Sequence, residues 1–131
     1  MVVTLQGELG AGKTTLVRGV LRSRGVDGPI KSPTYTLVEH YPVSSLYFYH
    51  FDFYRLGSTD EWDDAGFAEY FRDDAIVLAE WPERVAGVLG APDLALSLSH
   101  VDGGGRTLSV TAHSARGEQC LTALAREGLQ A

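Results

Sequence analysis

The feature that most restricts how this chain can fold is a glycine-rich run, GELGAGKT at residues 7–14. It matches the pattern G-x-x-x-x-G-K-[ST] at every fixed position, with Gly7, Gly12, Lys13 and Thr14. An apolar stretch precedes the run and a helix-like segment follows it. The order strand, glycine loop, helix is the context that a phosphate-binding P-loop requires, so the run predicts an α/β fold.

The residue types of this run suit a bound anion. Glycines let the backbone adopt positive φ and approach an anion closely, and the following helix presents unpaired amides and the positive end of its dipole. Lys13 is expected to sit in a solvent-facing loop and to reach the terminal phosphates, while Thr14 offers its hydroxyl to magnesium. Helix capping is the alternative role for Thr14 and Thr15. The residues predicted to bind a nucleotide here are Glu8, Leu9, Gly10, Ala11, Gly12, Lys13, Thr14 and Thr15.

Length and composition indicate a single soluble domain of 131 residues. No apolar run approaches the roughly 18 residues of a membrane span, and no signal peptide precedes the first strand. Cys120 is the only cysteine, which excludes an internal disulfide and favours a reducing cytoplasm. We interpret Cys120 as a small core residue of a C-terminal helix.

The charge distribution argues against unaided binding of nucleic acid. The net charge is −6, and the nine arginines are scattered along the sequence. If RNA is involved, a partner should hold it. Four acids, Asp60, Glu61, Asp63 and Asp64, are interpreted as a solvated face at a helix start, with a docking surface for a basic partner as the alternative.

The remaining elements predict a mixed sheet. Residues 36–41 and 46–54 form one expected antiparallel hairpin, and residues 94–99 and 107–111 form another. Between them we expect a helix from 59 to about 71, perturbed at Gly66, a buried strand at 75–80 and a helix at 83–89; a helix at 115–127 closes the chain. The predicted fold is therefore a P-loop NTPase-type α/β domain with a mixed parallel and antiparallel central sheet, whose strand order the sequence does not give.

Two acids at strand ends are candidates for handling magnesium and its water. Asp52 ends LYFYHFD, and Glu80 ends the more deeply buried-looking AIVLAE. Either acid could instead be an ordinary strand-end residue or a partner of Arg55. His50 shares a strand face with Asp52 and is interpreted as a hydrogen-bonded structural histidine, with positioning of Asp52 or water as the alternative. Arg55 is a candidate contact for phosphate or a partner subunit, with an ion pair as the alternative.

Four motifs in this order, GELGAGKTT, SPTYTLV, HFDFYRL and AEWPE, resemble the bacterial TsaE family, formerly called YjeE. The resemblance covers the chain from residue 2 to about residue 112. Its members are the ATPase component of tRNA threonylcarbamoyladenosine biosynthesis. The resemblance implies ATP and Mg²⁺ as cofactors, weak activity alone, and stimulation by the partners TsaB and TsaD. TsaD transfers the threonylcarbamoyl group to adenosine 37 of tRNA, and ATP hydrolysis drives cycling of the complex, so that tRNA is met only indirectly.

The resemblance also assigns roles that spacing alone cannot. It implies that Thr14 and Glu80 bind magnesium and that Asp52 is needed for activity, so that Lys13, Asp52 and Glu80 form the expected catalytic set. Trp81 is implied to lie beside the nucleotide, with a plain core tryptophan as the alternative.

The SPT segment is implied to act as a switch loop near the γ-phosphate. It maps onto Ser32, Pro33 and Thr34, with Thr36 adjoining. The family usually carries an N-terminal segment that forms the base-binding side of the site. Here Met1 directly precedes the first strand, so that segment is expected to be absent and adenine selectivity is the property affected.

Three other functions are open to a chain with this loop. A GTPase is disfavoured because guanine recognition commonly uses N-K-x-D and this chain contains no asparagine. A small P-loop kinase would need an acceptor pocket and usually an arginine-rich lid. A non-catalytic module, in which nucleotide binding itself is the signal, would bind ATP without hydrolysing it.

Overall fold

A computed structural model describes residues 1–31, 33, 35–43 and 46–126 of the chain. The strands are β1 (Val2–Gln6), β2 (Val38–Val43), β3 (Leu46–Asp52), β4 (Ala75–Glu80), β5 (Leu94–His100) and β6 (Arg106–Ala112). The α-helices are α1 (Lys13–Ser23), α2 (Asp60–Asp64), α3 (Ala86–Leu89) and α4 (Ala115–Arg126), and 3-10 turns span Phe67–Tyr70 and Pro82–Val85. These elements confirm the two predicted hairpins, the buried strand and the closing helix as far as Arg126.

The six strands form one mixed sheet in the order β2-β3-β4-β1-β5-β6. β1 lies between β4 and β5 and is parallel to both, and β3 is parallel to β4. β2 and β6 are antiparallel strands at the two edges. The predicted mixed α/β sheet is therefore confirmed. The four parallel strands end at the same edge, which is where loops of an open α/β sheet form sites.

Position in the sheet explains the strand sequences. β4 is flanked by β1 and β3 and is almost continuously apolar, as expected for a parallel strand that is buried on both faces. Pro42 lies in the edge strand β2, where the missing N–H interrupts no inner ladder.

Two hydrophobic clusters cover the two faces of the sheet. One is aromatic and joins the sheet to α2 and the turn at Phe67–Tyr70; its rings include Phe51, Phe53, Trp62 and Phe67. The other joins the sheet to α1 and includes Val3, Leu5, Val17, Leu21 and Phe48. Cys120 is half-buried and packs against this second cluster, in agreement with its interpretation as a core residue.

The helical region after β3 breaks where the sequence suggested. Gly66 adopts a left-handed conformation with φ 67° and separates α2 from the following 3-10 turn. The four acids of α2 are exposed, whereas Trp62 in the same helix is buried in the aromatic cluster. The acidic residues therefore form a solvated face.

Asp93 attaches α4 to the start of β1. Its carboxylate accepts hydrogen bonds from the Val2 N–H at 2.7 Å and from the Ser114 hydroxyl at 2.6 Å. Ser114 in turn caps α4, because its Oγ accepts a hydrogen bond from the Gly117 N–H at 3.0 Å. Among the described helices, none is both long enough and apolar enough to cross a membrane.

Candidate functional site

A cleft of about 320 Å³ lies where β1, β3 and β4 end. Its walls are formed by Leu9, Gly10, Ala11, Gly12, Lys13, Thr14, Thr15, Asp52, Tyr54, Glu80 and Trp81. The topology thus brings the glycine loop together with both candidate acids. Glu8 lines a neighbouring depression with Ser97 and His100, and the predicted residues Ser32 and Thr34 lie outside the described residues. Tyr54 was not among the predicted site residues, although its spacing of two residues from Asp52 puts both on one face of the expected strand at 46–54.

The glycine loop is shaped to receive an anion at the start of α1. Gly10 and Gly12 have φ values of 79° and 105°, which side chains rarely tolerate. A Cβ at either position would meet no atom of the described residues within 4 Å, so backbone conformation, not crowding, requires glycine there. Within the described part of the chain no side chain caps the helix at Gly12, so its first amides are available to an anion.

Lys13 is buried, which corrects the expectation that it sits in a solvent-facing loop. It is the first residue of α1 and is only 5% exposed. Its Nζ donates hydrogen bonds to the carbonyl oxygens of Gly7 and Glu8 and lies 3.9 Å from the ring centroid of Trp81. Burial lowers the pKa of Lys13, and the nearby carboxylates, Glu80 foremost, only partly oppose this effect. The cleft therefore solvates the ammonium of Lys13 less well than water does.

Trp81 forms one wall of the cleft. It has a left-handed backbone with φ 57° directly before Pro82, a conformation that costs a tryptophan on the order of 1–3 kcal/mol. The indole faces Lys13 on one side and the ring of Tyr54 at 4.9 Å, and it also borders the aromatic cluster. Trp81 thus lines the cleft and also packs against the core, and its place beside a nucleotide stays a prediction.

Thr14, Glu80 and His50 form a hydrogen-bonded chain beneath the cleft. The Thr14 hydroxyl lies 3.0 Å from each carboxylate oxygen of Glu80, and His50 Nε2 lies 2.6 Å from Glu80 Oε2. His50 is fully buried and Glu80 is 2% exposed. His50 Nδ1 is buried, and no described residue pairs with it, so the network assigns the proton to Nε2. His50 is therefore a hydrogen-bonded histidine, as interpreted, and this bond goes to Glu80.

Asp52 stands next to Glu80 at the carboxyl end of the sheet. The two residues are register partners on β3 and β4, and Asp52 is 5% exposed. Asp52 Oδ1 accepts a hydrogen bond from the Tyr54 N–H at 3.0 Å, which turns the chain out of the strand. Arg55 lies over the ring of Tyr35 at 4.4 Å, and that ring is 81% exposed.

Thr14 and Glu80 suit an octahedral magnesium ion. Two oxygens at 2.0–2.1 Å from Mg²⁺ in adjacent octahedral positions are about 2.9 Å apart. The Thr14 hydroxyl and the Glu80 carboxylate already lie 3.0 Å apart. The described residues hold no group of three or more His, Cys, Asp or Glu side chains able to bind a metal by themselves. A magnesium ion here would need phosphate and water oxygens as further ligands, which is its usual coordination.

Comparisons with known proteins point in one direction. The family model described as threonylcarbamoyl adenosine biosynthesis protein TsaE matches residues 1–108. The tRNA threonylcarbamoyladenosine biosynthesis protein TsaE of Haemophilus influenzae is 42% identical over 123 residues, which cover 94% of this chain and 77% of the relative. The Bacillus subtilis protein of the same name is 34% identical over 125 residues, covering 95% and 78%. The crystal structure of Bacillus subtilis YdiB matches with a TM-score of 0.80 and 29% identity, covering 98% of this chain and 78% of that one.

Proposed function

The chain belongs to the TsaE family, and on this premise we propose that it is a Mg²⁺-dependent ATPase that serves N6-threonylcarbamoyladenosine formation at position 37 of tRNA. The observation that carries the proposal is the Thr14–Glu80 pair at 3.0 Å beside the open glycine loop. In this proposal the fold is of the P-loop NTPase type and the protein works in the cytoplasm.

The loop and Lys13 bind the phosphates of ATP. The first amides of α1 point towards the anion, and Lys13 exchanges the carbonyls of Gly7 and Glu8 for the terminal phosphates. The exchange is favourable because a phosphate oxygen is a negatively charged acceptor, whereas the two carbonyls that now accept from the buried ammonium are neutral. Trp81 keeps the cleft wall apolar on the side of the ammonium.

Thr14 and Glu80 would hold magnesium, which when bound supplies positive charge at the phosphates. His50 orients Glu80 for this role through its Nε2–H. Because Glu80 is assigned to the magnesium site, we assign the ordering of the attacking water to Asp52, which borders the same cleft. Ser32 and Thr34 remain proposed switch residues near the γ-phosphate.

The partners in this proposal are TsaB and TsaD. The cleft is open to solvent, and an open site lacks the exclusion of water that a closing surface provides. Turnover by the isolated chain should therefore be slow and should rise in the complex. Hydrolysis here drives cycling of that complex, and TsaD carries out the transfer to tRNA.

The test is ATP hydrolysis at varied Mg²⁺, by the chain alone and with purified TsaB and TsaD. Glu80→Gln should raise the Mg²⁺ concentration needed for half-maximal activity, whereas Asp52→Asn should lower kcat with that concentration unchanged. Asp64→Asn, which removes an exposed acid of α2, is the matched control and should leave both values unchanged. Absence of hydrolysis in both conditions, with ATP still bound, would refute the ATPase and identify a nucleotide-dependent binding module.

A further inference from the structure

Arg106 contacts the glycine loop from β6, an edge strand that is separated from β1 by β5. It is the first residue of β6, and its guanidinium donates from Nε to the Ala11 carbonyl oxygen at 3.1 Å. Nη2 lies 3.4 Å from the Gly10 carbonyl oxygen, and Nη1 donates to the carbonyl of Gly105 at 3.0 Å. One guanidinium thus joins the β5–β6 hairpin to the middle of the glycine loop.

The topology explains this contact. β5 pairs with β1 in parallel, and β6 runs back antiparallel to β5 with Arg106 opposite His100. The start of β6 therefore lies at the edge of the sheet where β1 ends and the glycine loop begins. Two residues 95 positions apart in the sequence are brought within hydrogen-bond distance.

These hydrogen bonds fix the direction of two peptide planes. In a planar trans peptide the carbonyl and the N–H point to opposite sides. The Gly10–Ala11 peptide is held at both ends, because Ala11 N–H donates to the Glu8 carbonyl at 3.0 Å. The Ala11–Gly12 peptide is held at its carbonyl, so the Gly12 N–H points away from the guanidinium.

We infer that Arg106 is a positioning residue for anion binding: it holds the Gly10 and Ala11 carbonyls so that the Gly12 amide is oriented before a phosphate arrives. The planar fork of arginine reaches both carbonyls at once, which a lysine ammonium cannot match. Preorganised amides bind an anion more tightly because less ordering is needed on binding. The expected effect on nucleotide affinity rests on the proposed function, whereas the expected effect on the order of the ligand-free loop does not.

The first measurement is amide hydrogen exchange of the ligand-free protein. In Arg106→Ala, the Ala11 amide should exchange faster, while the midpoint of urea unfolding stays unchanged because the side chain is at the surface. Arg126→Ala removes an arginine from the exposed end of α4 and is the control for net charge. Equal Ala11 exchange in the wild type and Arg106→Ala would overturn the inference, whether or not the protein binds nucleotides.

The second measurement is the affinity for ADP and for inorganic pyrophosphate. Arg106→Ala should weaken both by roughly tenfold, the effect of about one hydrogen bond from a charged donor. Arg106→Lys should remain weak, because the charge is kept and the fork is lost. Full affinity in Arg106→Lys would show that charge alone matters and would overturn the positioning role. If the wild type bound neither ligand, the proposed function would fail, and the exchange result would decide the role of Arg106 alone.

Discussion

The hydrogen bond between His50 and Glu80 should contribute measurably to folding. The two side chains are almost completely buried and lie 2.6 Å apart. We consider three variants: His50→Leu, Glu80→Met, and the double variant. Leucine and methionine approximate the shapes of the residues that they replace and bring no polar group into the site.

The expected magnitudes follow from burial. His50→Leu leaves the buried Glu80 with Thr14 as a remaining partner, and Glu80→Met leaves the buried Nε2–H of His50 without its acceptor. Leaving one buried partner unsatisfied costs about 1–3 kcal/mol, and more for a charged group, so each single variant should lose about 2–3 kcal/mol. The double variant removes both polar groups and should cost no more than about 3 kcal/mol in all. With a double-variant loss of about 3 kcal/mol, the coupling energy should be about 1–3 kcal/mol, which corresponds to several degrees in Tm for a chain of this size.

Urea unfolding of the wild type and the three variants measures this coupling. Arg72 and Asp74 supply the control cycle, because they form an ion pair at 3.3 Å with both side chains about half exposed. Alanine substitutions in that pair should give a coupling below about 1 kcal/mol. If the losses of His50→Leu and Glu80→Met simply added, within about 0.5 kcal/mol, the buried pair would not interact as the structure requires.

Two further predictions concern α4 and its attachment. Gly117→Ala would place a Cβ 2.0 Å from the Asp93 carbonyl oxygen and should destabilise the fold by about 3 kcal/mol or more, whereas Gly19→Ala, at an open position of α1, should stabilise it by about 0.5–1 kcal/mol; comparable urea midpoints for the two would contradict this reasoning. Burial raises the pKa of Asp93, but hydrogen bonds from Ser114 and Val2, with the charges of the N-terminus and Arg116, outweigh it and lower the pKa overall. The stability that Asp93 contributes is therefore present above the unfolded pKa of about 3.9 and is lost as the pH falls through the folded pKa. Asp93→Asn should lower Tm at pH 7 and should approach the wild-type Tm in strong acid. An equal loss of Tm at both pH values would exclude ionisation of Asp93 as the cause.

The sequence predicted those parts of the fold that local chemistry encodes. The glycine loop, both hairpins and the break at Gly66 are each specified within a few neighbouring residues, by positive-φ glycines or by period-two alternation. The insertion of β1 between β4 and β5 was not predictable, because it depends on pairing between strands more than 70 residues apart. The mixed sheet followed from the hairpins without that knowledge.

The candidate site shows the same division. Strand-end position identified Asp52 and Glu80 as neighbours of the loop, and the register confirms that they lie side by side. The choice of Glu80 as the partner of His50 depends on that register, which no local pattern encodes. Arg106 was counted only among scattered arginines, because its contact with the loop spans three neighbouring strands. Lys13 was misplaced because a loop motif does not show that Trp81 will cover the ammonium.

The buried position of Lys13 should make anion binding sensitive to alkaline pH. Burial lowers the lysine pKa, so the charged form begins to disappear below the ordinary value of about 10.4. A bound phosphate favours the charged form and raises the pKa again. Binding above the lowered pKa therefore takes up a proton, and affinity must fall as the pH rises through that value.

The affinity for ADP without metal, measured as the pH is raised from about 8, tests this reasoning. Wild-type affinity should decline as Lys13 loses its proton, and complete loss of the charge-assisted hydrogen bond should weaken binding by about tenfold or more, since such a bond is worth about 1.5–3 kcal/mol. Lys13→Ala should bind weakly with a flat profile. Lys31→Ala, which removes an exposed lysine, should keep the wild-type decline. If the affinity of Lys13→Ala also declined with pH, another group would be responsible for the titration. The argument that the buried Lys13 must be charged to bind a phosphate would then be wrong.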